Sequence, residues 1–404
     1  MQTLAIDGGI PVRTEPWPAW PVLGEAEIAA AESVLRSGRL SYWTGQEGRS
    51  LEREYAGFLG RRHTVAVANG TLALELALRA FEIGPGTEVV VPARTFIATA
   101  SCVVAVGATP VVADIDPLSG NLTAQTVSDA LSERTAAVIP VHLGGWPVDL
   151  DPIMRLADER GLVVIEDCAQ AHGATYKGRP IGSIGHAAAF SFCQDKIITS
   201  GEGGLLALDD GQAYTRAWEY KDHGKSLAKL SDPGFVGRST SFKWIHDSFG
   251  SNLRLPEVEA AMIRTQLFAL DTAHIRRVHN ASLLADGIGE LPGLVVPRVV
   301  DGSEHAFYRL YAHTVPEDLA EGWNRDRVTT AIAAEGVPCQ YGTCAEIYRE
   351  AAFTTLGLGP ATRMPGAERA HETSLAFFVH PTLADGDMDD AIAAVRKVMA
   401  VAAR

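Results

Sequence analysis

The sequence predicts an α/β fold: a large domain built on a mostly parallel sheet, followed by a smaller α+β domain. In the first two-thirds of the chain, short β-branched runs alternate with helical stretches, a rhythm typical of crossovers between parallel strands. The runs carry little polar alternation, which indicates strands buried on both faces. After Gly250 the regular alternation of strands and helices ends, and predicted helices mix with short extended segments.

The individual elements follow from these runs and from the turn residues that bound them. Seven strands are predicted at 64–68, 88–91, 110–114, 136–141, 162–166, 187–192 and 204–208, with helices at 71–80, 98–106, 124–131 and 151–160. A lead-in segment ends in a helix at 25–37. Pro256 opens a long helix at 257–269, and an extended piece lies at 308–315. We therefore divide the chain into a lead-in (1–40), a large α/β domain (41–265) and a small α+β domain (266–404).

Composition restricts the class of protein. The 404 residues include 35 basic and 49 acidic side chains, a net charge of −14, which argues against nucleic acid or an anionic membrane as the main partner. No signal peptide or spanning segment is visible. The five cysteines are odd in number and scattered, as reduced thiols of a cytoplasmic protein are. We expect a cytoplasmic protein without a metal site.

Two strand ends carry residues suited to a phosphorylated ligand. Asn69-Gly70-Thr71 follows a strand and opens a helix, where free N–H groups and the helix dipole favour an anion. Ser191 ends another strand, and a Gly-rich turn follows it. An ordinary strand-to-helix turn is the alternative for the first motif.

A carboxylate and a lysine lie near the same predicted sheet edge. Asp167 ends a buried apolar strand, at the edge where open α/β sheets bind ligands, and Lys196 follows Ser191 by five residues. Alone, each has a plain explanation: a helix cap for Asp167 and a solvated side chain for Lys196. Together with the phosphate-binding turns they describe a pyridoxal-phosphate pocket, which needs a covalent lysine and a carboxylate for the ring nitrogen.

The order of the motifs extends this interpretation along nearly the whole chain. The chain resembles the DegT/DnrJ/StrS family of sugar aminotransferases, which have the fold type I, aspartate-aminotransferase-like architecture. The resemblance rests on GRLS at 38–41, NGTLAL at 69–74, PARTFIAT at 92–99, EDCAQAHGA at 166–174, SFCQDK at 191–196, GEGG at 201–204, DHG at 222–224 and GSNLR at 250–254.

The resemblance implies a role for each matching residue. Lys196 would hold pyridoxal phosphate covalently and Asp167 would pair with its ring nitrogen. The other implied cofactor contacts are Gln170 beside the ring hydroxyl, Phe96 stacked on the ring, Gly70, Thr71 and Ser191 at the phosphate, and Asn252 reaching the phosphate from a partner subunit. A homodimer with shared active sites is therefore expected. Cys193-Gln194-Asp195 departs from the family's frequent His-Pro before the lysine.

The implied activity is transfer of an amino group from glutamate or glutamine to a keto-sugar, nucleotide-linked or not, or to a keto-cyclitol. Polysaccharide or secondary-metabolite biosynthesis would be the setting. Lysine rather than histidine at 196 favours transamination over a second hypothesis, a sugar dehydratase; a third is a non-catalytic regulator that binds the cofactor. Aromatic side chains and one histidine near the expected site edges are candidate substrate contacts, with burial in the core as the alternative: Tyr42, Trp43, His223, Tyr308, Tyr341 and Tyr348.

Overall fold

The computed structural model describes residues 3–236 and 244–404. The strands up to residue 208 are β1 (His63–Val67), β2 (Glu88–Pro92), β3 (Thr109–Ala113), β4 (Thr135–Val138), β5 (Val163–Asp167), β6 (Thr175–Tyr176), β7 (Arg179–Pro180), β8 (Ala187–Ser191) and β9 (Gly204–Leu208). Within the described residues, β6 and β7 pair with each other and the other seven form one sheet of order β1-β9-β8-β5-β4-β2-β3. These are the seven strands that the sequence predicts.

The large sheet is mostly parallel, as expected. Neighbours from β3 through β2, β4 and β5 to β8 run in parallel, whereas β9 is antiparallel to both β8 and β1. Since β9 is reversed against each of its neighbours, β1 points the same way as β8. The carboxyl ends of β1, β5 and β8 therefore meet at one edge of the sheet.

Helices cover both faces of this sheet. The helices up to residue 288 are α1 (Glu25–Ser37), α2 (Glu47–Leu59), α3 (Gly70–Ala80), α4 (Ala98–Ala105), α5 (Ala124–Ala130), α6 (Leu150–Arg160), α7 (Gly211–Lys221), α8 (Leu227–Ser231), α9 (Pro233–Val236) and α10 (Glu257–Ile288). Along β2, Val89 and Val91 belong to one buried cluster and Val90 to the cluster on the opposite face. This alternation explains why Val89, Val90 and Val91 are all apolar although they face opposite sides of the sheet.

Helix α10 is longer than the predicted 257–269. It runs for 32 residues to Ile288 and passes through the predicted domain boundary between residues 265 and 266. No proline interrupts it, and buried residues recur at helical spacing beyond residue 269: Leu270, Arg277, Ala281, Leu284 and Ile288. The weak apolar periodicity beyond residue 269, where Arg277 and Asn280 take buried positions, hid this continuation in the sequence.

The C-terminal region is an α+β unit with its own sheet. Its strands are β10 (Leu294–Val295), β11 (Leu310–Thr314), β12 (Cys339–Gln340) and β13 (Ser374–Phe377), and its helices are α11 (Arg325–Ala334), α12 (Ala351–Leu356), α13 (Pro365–Thr373) and α14 (Asp385–Ala402). Within the described residues the strand order is β10-β11-β13-β12, with every pairing antiparallel. The extended piece predicted at 308–315 contains β11. Leu4 packs in the same apolar cluster as Leu284 and Val395, so the N-terminal segment contacts this unit.

All five cysteines are free thiols, as predicted; Cys102, Cys168 and Cys339 are buried, Cys193 is half-buried and Cys344 is exposed. In the part of the chain that the structure describes, no helix combines the length and the apolar character needed to cross a bilayer.

Candidate active site

A cleft of about 930 Å³ lies where the carboxyl edge of the large sheet faces the C-terminal unit. The cleft is lined on one side by the ends of β5 and β8 and by the start of α3. On the other side, the C-terminal unit contributes residues beside β11 and after β12. Predicted site residues that line it are Gly70, Thr71, Phe96, Asp167, Gln170, Ser191, Lys196 and Tyr308. The cleft thus brings together predicted site residues that are up to 238 residues apart (70 to 308) in the sequence.

Asp167 lies at the end of β5 and is 5% exposed. Its carboxylate accepts hydrogen bonds from Thr99 Oγ1 at 3.0 Å and from the backbone N–H of Ala169 at 3.1 Å. Burial raises the pKa of Asp167, and these two hydrogen bonds only partly offset the effect. Among the described residues it has no ion-pair partner, so a buried charge lacks a counter-ion here. A protonated pyridine nitrogen fits that need.

The start of α3 lies directly against Ser191. Asn69 caps the helix by accepting the N–H of Leu72 at 2.9 Å, and Gly70 is the first helical residue. A Cβ atom at position 70 would come within 2.7 Å of Ser191 Cβ, so only glycine permits this approach. The helix N-terminus, the Thr71 side chain and the Ser191 hydroxyl form a donor set that suits a phosphate.

Lys196 lies in the connection between β8 and β9, and its side chain is 16% exposed. Its Nζ is 3.2 Å from Asp195 Oδ1 and 3.5 Å from the Tyr308 hydroxyl. Trp20 Nε1 donates a hydrogen bond to the Lys196 carbonyl at 3.2 Å, which holds the backbone. Lys196 and Asp167 line the same cleft, the arrangement on which the cofactor interpretation depends.

Phe96 and Gln170 are the two residues predicted to contact the ring of the cofactor and its hydroxyl group. Phe96 lines the cleft yet is 68% exposed, so a large apolar ring faces open space. Gln170 is buried, and its Oε1 accepts the N–H of Gly144 at 2.6 Å, which fixes the orientation of the amide. An exposed aromatic face and an oriented amide suit a planar heterocycle with a polar rim.

Asn252 lies outside the lining of its own chain's cleft. It is exposed, and its Oδ1 accepts the N–H of Arg254 at 3.4 Å. Its backbone forms an isolated bridge with Asp222, and Trp43 Nε1 donates to the Asp222 carboxylate at 2.9 Å. Asn252 and Trp43 are therefore linked through Asp222, and neither lines the cleft that contains Lys196.

Five of the six substrate candidates, all except Tyr308, also lie outside the cleft lining. The Tyr42 hydroxyl donates to Glu52 at 2.9 Å, and that of Tyr348 donates to Glu346 at 2.6 Å. Tyr341 is half-exposed, with the Arg325 guanidinium 3.9 Å from its ring centroid, and His223 is exposed with a φ of 63°. Of the six candidates, Tyr308 lines the cleft within one chain; the roles of all six stay predictions.

The cleft lining also includes residues that were not predicted as site residues, among them Thr99, Asp195 and Arg309, which lie in contact with predicted ones or next to them. Thr99 orients Asp167 and lies in the quoted PARTFIAT motif, one helical turn after Thr95, with which it shares a 2.7 Å hydrogen bond. The sequence marks Asp195 only as part of a departure from the family pattern. Arg309 follows Tyr308, and nothing in the local sequence marks it as a cleft residue.

A buried group that could ligate a metal lies behind the cleft, where atoms of His142, Glu166 and Cys168 fall within 4.8 Å of one another. The Glu166 carboxylate already accepts N–H groups from Gly182, Ile184 and Gly185, and His142 Nδ1 accepts that of Val148. These hydrogen bonds use the lone pairs that a metal would need, so the chemistry of the group is that of a satisfied polar core.

Comparisons with known proteins agree with this geometry. An L-glutamine:2-deoxy-scyllo-inosose aminotransferase of Streptoalloteichus tenebrarius is 36% identical, covering 98% of this chain and 97% of that one. An aminotransferase structure from Psychrobacter cryohalolentis has a TM-score of 0.92 and 44% identity, covering 95% and 99%. The structure of Spr1654 from Streptococcus pneumoniae in its PLP form has a TM-score of 0.84 and 25% identity, covering 96% and 99%.

These likenesses show a fold shared with pyridoxal-phosphate aminotransferases, and they extend over almost the entire chain. The model of the DegT/DnrJ/EryC1/StrS aminotransferase family matches residues 21–396. That range includes every predicted cofactor contact and the seven-stranded and four-stranded sheets. The match confirms the resemblance inferred from the motifs, and the chain belongs to this aminotransferase family.

Proposed function

We propose that the protein transfers an amino group from L-glutamine or L-glutamate to a keto-cyclitol or keto-sugar, with pyridoxal phosphate bound covalently to Lys196. The observation that carries the proposal is the single cleft lined by Lys196, the buried Asp167 and the start of α3. The name of the Streptoalloteichus relative, which specifies L-glutamine and a keto-cyclitol, supports this choice of substrates.

Each cleft residue has a physical task in this reaction. Bound pyridoxal phosphate would supply an electron sink for the carbanion left when the donor loses its Cα proton. Asp167, oriented by Thr99, would keep a proton on the ring nitrogen. The Lys196 amine would carry a proton to and from the donor Cα. Ser191 and the N-terminus of α3 would anchor the phosphate group.

The lysine and the activity can be tested together. Wild-type protein mixed with pyridoxal phosphate should show the visible absorption band of a lysine-bound cofactor, and Lys196→Ala should remove it. Lys177→Ala, which changes a half-exposed lysine outside the cleft lining, should keep the band. With L-glutamine, the wild type should release the donor's keto acid. A band that survives in Lys196→Ala would refute the assignment, and turnover without loss of donor amine would indicate a dehydratase instead.

We further propose that the active enzyme is a homodimer in which Asn252 reaches the phosphate end of the partner's site. Two observations support this: Asn252 is exposed, and it lies outside the cleft lining of its own chain. We expect the dimer to work in the cytoplasm, since its thiols are free. Sedimentation that gives a monomer in the active fraction would contradict the shared site.

A further inference from the structure

Asp195, the residue before the proposed cofactor lysine, lies at the centre of a polar cluster. Its Oδ1 is 3.2 Å from Lys196 Nζ. Its Oδ2 accepts a hydrogen bond from the Tyr308 hydroxyl and is 3.8 Å from Arg309 Nη2. Burial opposes ionisation, but Lys196, Tyr308 and Arg309 outweigh it and hold the pKa of Asp195 below its ordinary value. The carboxylate is therefore a stable negative charge beside the lysine amine.

Tyr308 is held in one orientation within this cluster. Its hydroxyl lies 3.5 Å from Lys196 Nζ, and its ring centroid lies 4.9 Å from the same atom. The Arg309 guanidinium lies 4.3 Å from the Tyr308 ring centroid and 4.2 Å from that of Phe378, so Arg309 fills the space between the two rings. Burial raises the pKa of Tyr308, and the phenol stays a neutral hydrogen-bond donor.

We propose that Asp195 is a positioning residue for Lys196: with the Tyr308 hydroxyl, it holds the lysine amine at the cleft wall whenever that amine is not joined to the cofactor. The inference rests on the function proposed above for Lys196. A lysine side chain has large rotamer freedom, and a released amine without partners would spend much of its time away from the donor Cα. Two fixed partners restrict the amine: Asp195, in the connection between β8 and β9, and Tyr308, in the C-terminal unit.

The cofactor-free protein provides a direct test. Acetic anhydride acetylates neutral amines, and peptide mass spectrometry reports the modified fraction at each lysine. Asp195→Asn keeps an oxygen for Tyr308 but removes the charge, so acetylation of Lys196 at fixed pH should rise about two- to fivefold, the range for a partly exposed ion pair. Tyr308→Phe should raise it by a smaller factor.

Asp149 offers a matched control. It is 49% exposed against 48% for Asp195, accepts a hydrogen bond from a buried tyrosine, Tyr176, and lies 3.9 Å from Lys177. Asp149→Asn should leave acetylation of Lys196 unchanged. Unchanged labelling of Lys196 in both Asp195→Asn and Tyr308→Phe would overturn the inference, as would an equal rise in Asp149→Asn.

Kinetics separate this inference from the proposed function. In single-turnover reactions of loaded Asp195→Asn with L-glutamine, the rate constant should fall roughly ten- to hundredfold, the scale for misplacing a reacting group. The L-glutamine concentration that gives half the maximal rate constant should change little. The isotope effect on this rate constant from α-deuterated glutamine should grow. If the Lys196→Ala protein still binds the cofactor as the wild type does, the proposed function is refuted. If the Asp195→Asn protein shows the wild-type single-turnover rate constant and isotope effect, only the positioning role of Asp195 is refuted.

Discussion

The approach of α3 to Ser191 makes Gly70→Ala a sharp perturbation. The added Cβ would lie 2.7 Å from Ser191 Cβ and 3.2 Å from both Ser191 Cα and Oγ. All three atoms belong to Ser191, whose backbone is fixed at the end of β8, so the helix start has to move. Overpacking of this kind costs roughly 1–3 kcal/mol, whereas alanine's better helix propensity returns at most about 1 kcal/mol. We expect Gly70→Ala to lower the free energy of unfolding by about 1–2 kcal/mol.

Urea denaturation of the cofactor-free protein measures this loss, and Gly57→Ala is the control. Gly57 lies in α2, and its added Cβ would meet no atom within 4 Å; alanine there should stabilise the protein by about 0.5–1 kcal/mol. Gly70→Ala should also weaken cofactor binding, because the displaced helix start no longer faces Ser191.

A double variant distinguishes the steric cause from a general defect. Ser191→Gly removes the nearest clashing atom, so it should restore part of the stability that Gly70→Ala loses. It should not restore cofactor affinity, since the Ser191 hydroxyl is gone. A Gly70→Ala protein with the wild-type urea midpoint and wild-type cofactor affinity would refute the reasoning from the close contact.

Three further predictions concern acid stability, thiols and the dimer. Hydrogen bonds from Arg363, Tyr348 and Arg349 overcome the effect of burial and lower the pKa of Glu346 from 4.5 to about 2; its stabilisation is therefore complete above pH 4.5 and is lost as the pH falls towards 2. Glu346→Gln should lose about 1–2 kcal/mol at neutral pH and flatten that acid limb in pH-dependent urea melts. Burial raises the pKa of the Cys102, Cys168 and Cys344 thiols alike, but of these three Cys344 alone is exposed, so a thiol reagent should label it before the other two, as mass mapping would show; equal rates would contradict this. Mixing inactive Lys196→Ala and Asn252→Ala proteins should restore activity through one intact shared site, and no recovery after subunit exchange would contradict the predicted role of Asn252.

The sequence predicts the large sheet well because its strands are buried on both faces. Strands such as β2 are buried throughout, carry apolar runs and end in distinct turns, so their number and mainly parallel order follow from local pattern. The cofactor side of the cleft is predictable for the same reason. Asp167 and Ser191 end parallel strands, which places both at one edge before any tertiary contact is known.

The substrate side is harder to predict, since burial and ligand contact call for the same residue types. Tyr42 and Tyr348 satisfy their hydroxyls on nearby glutamates, whereas Tyr308 faces the cleft, and nothing local distinguishes the three. Arg309 and the cleft wall after β12 depend on how the C-terminal unit docks. That docking follows α10, whose second half has too mixed a buried face to be recognised from periodicity.

The unbroken course of α10 has a consequence for how chains of this fold can vary in length. It runs from just after Arg254, near the segment proposed to enter the neighbouring subunit, to the base of the C-terminal sheet. Each residue inserted into a helix advances it by about 1.5 Å and turns everything beyond it by about 100°. One added residue between 257 and 288 would swing Tyr308 and Arg309 away from Lys196. Length changes should accumulate in surface loops and spare this span.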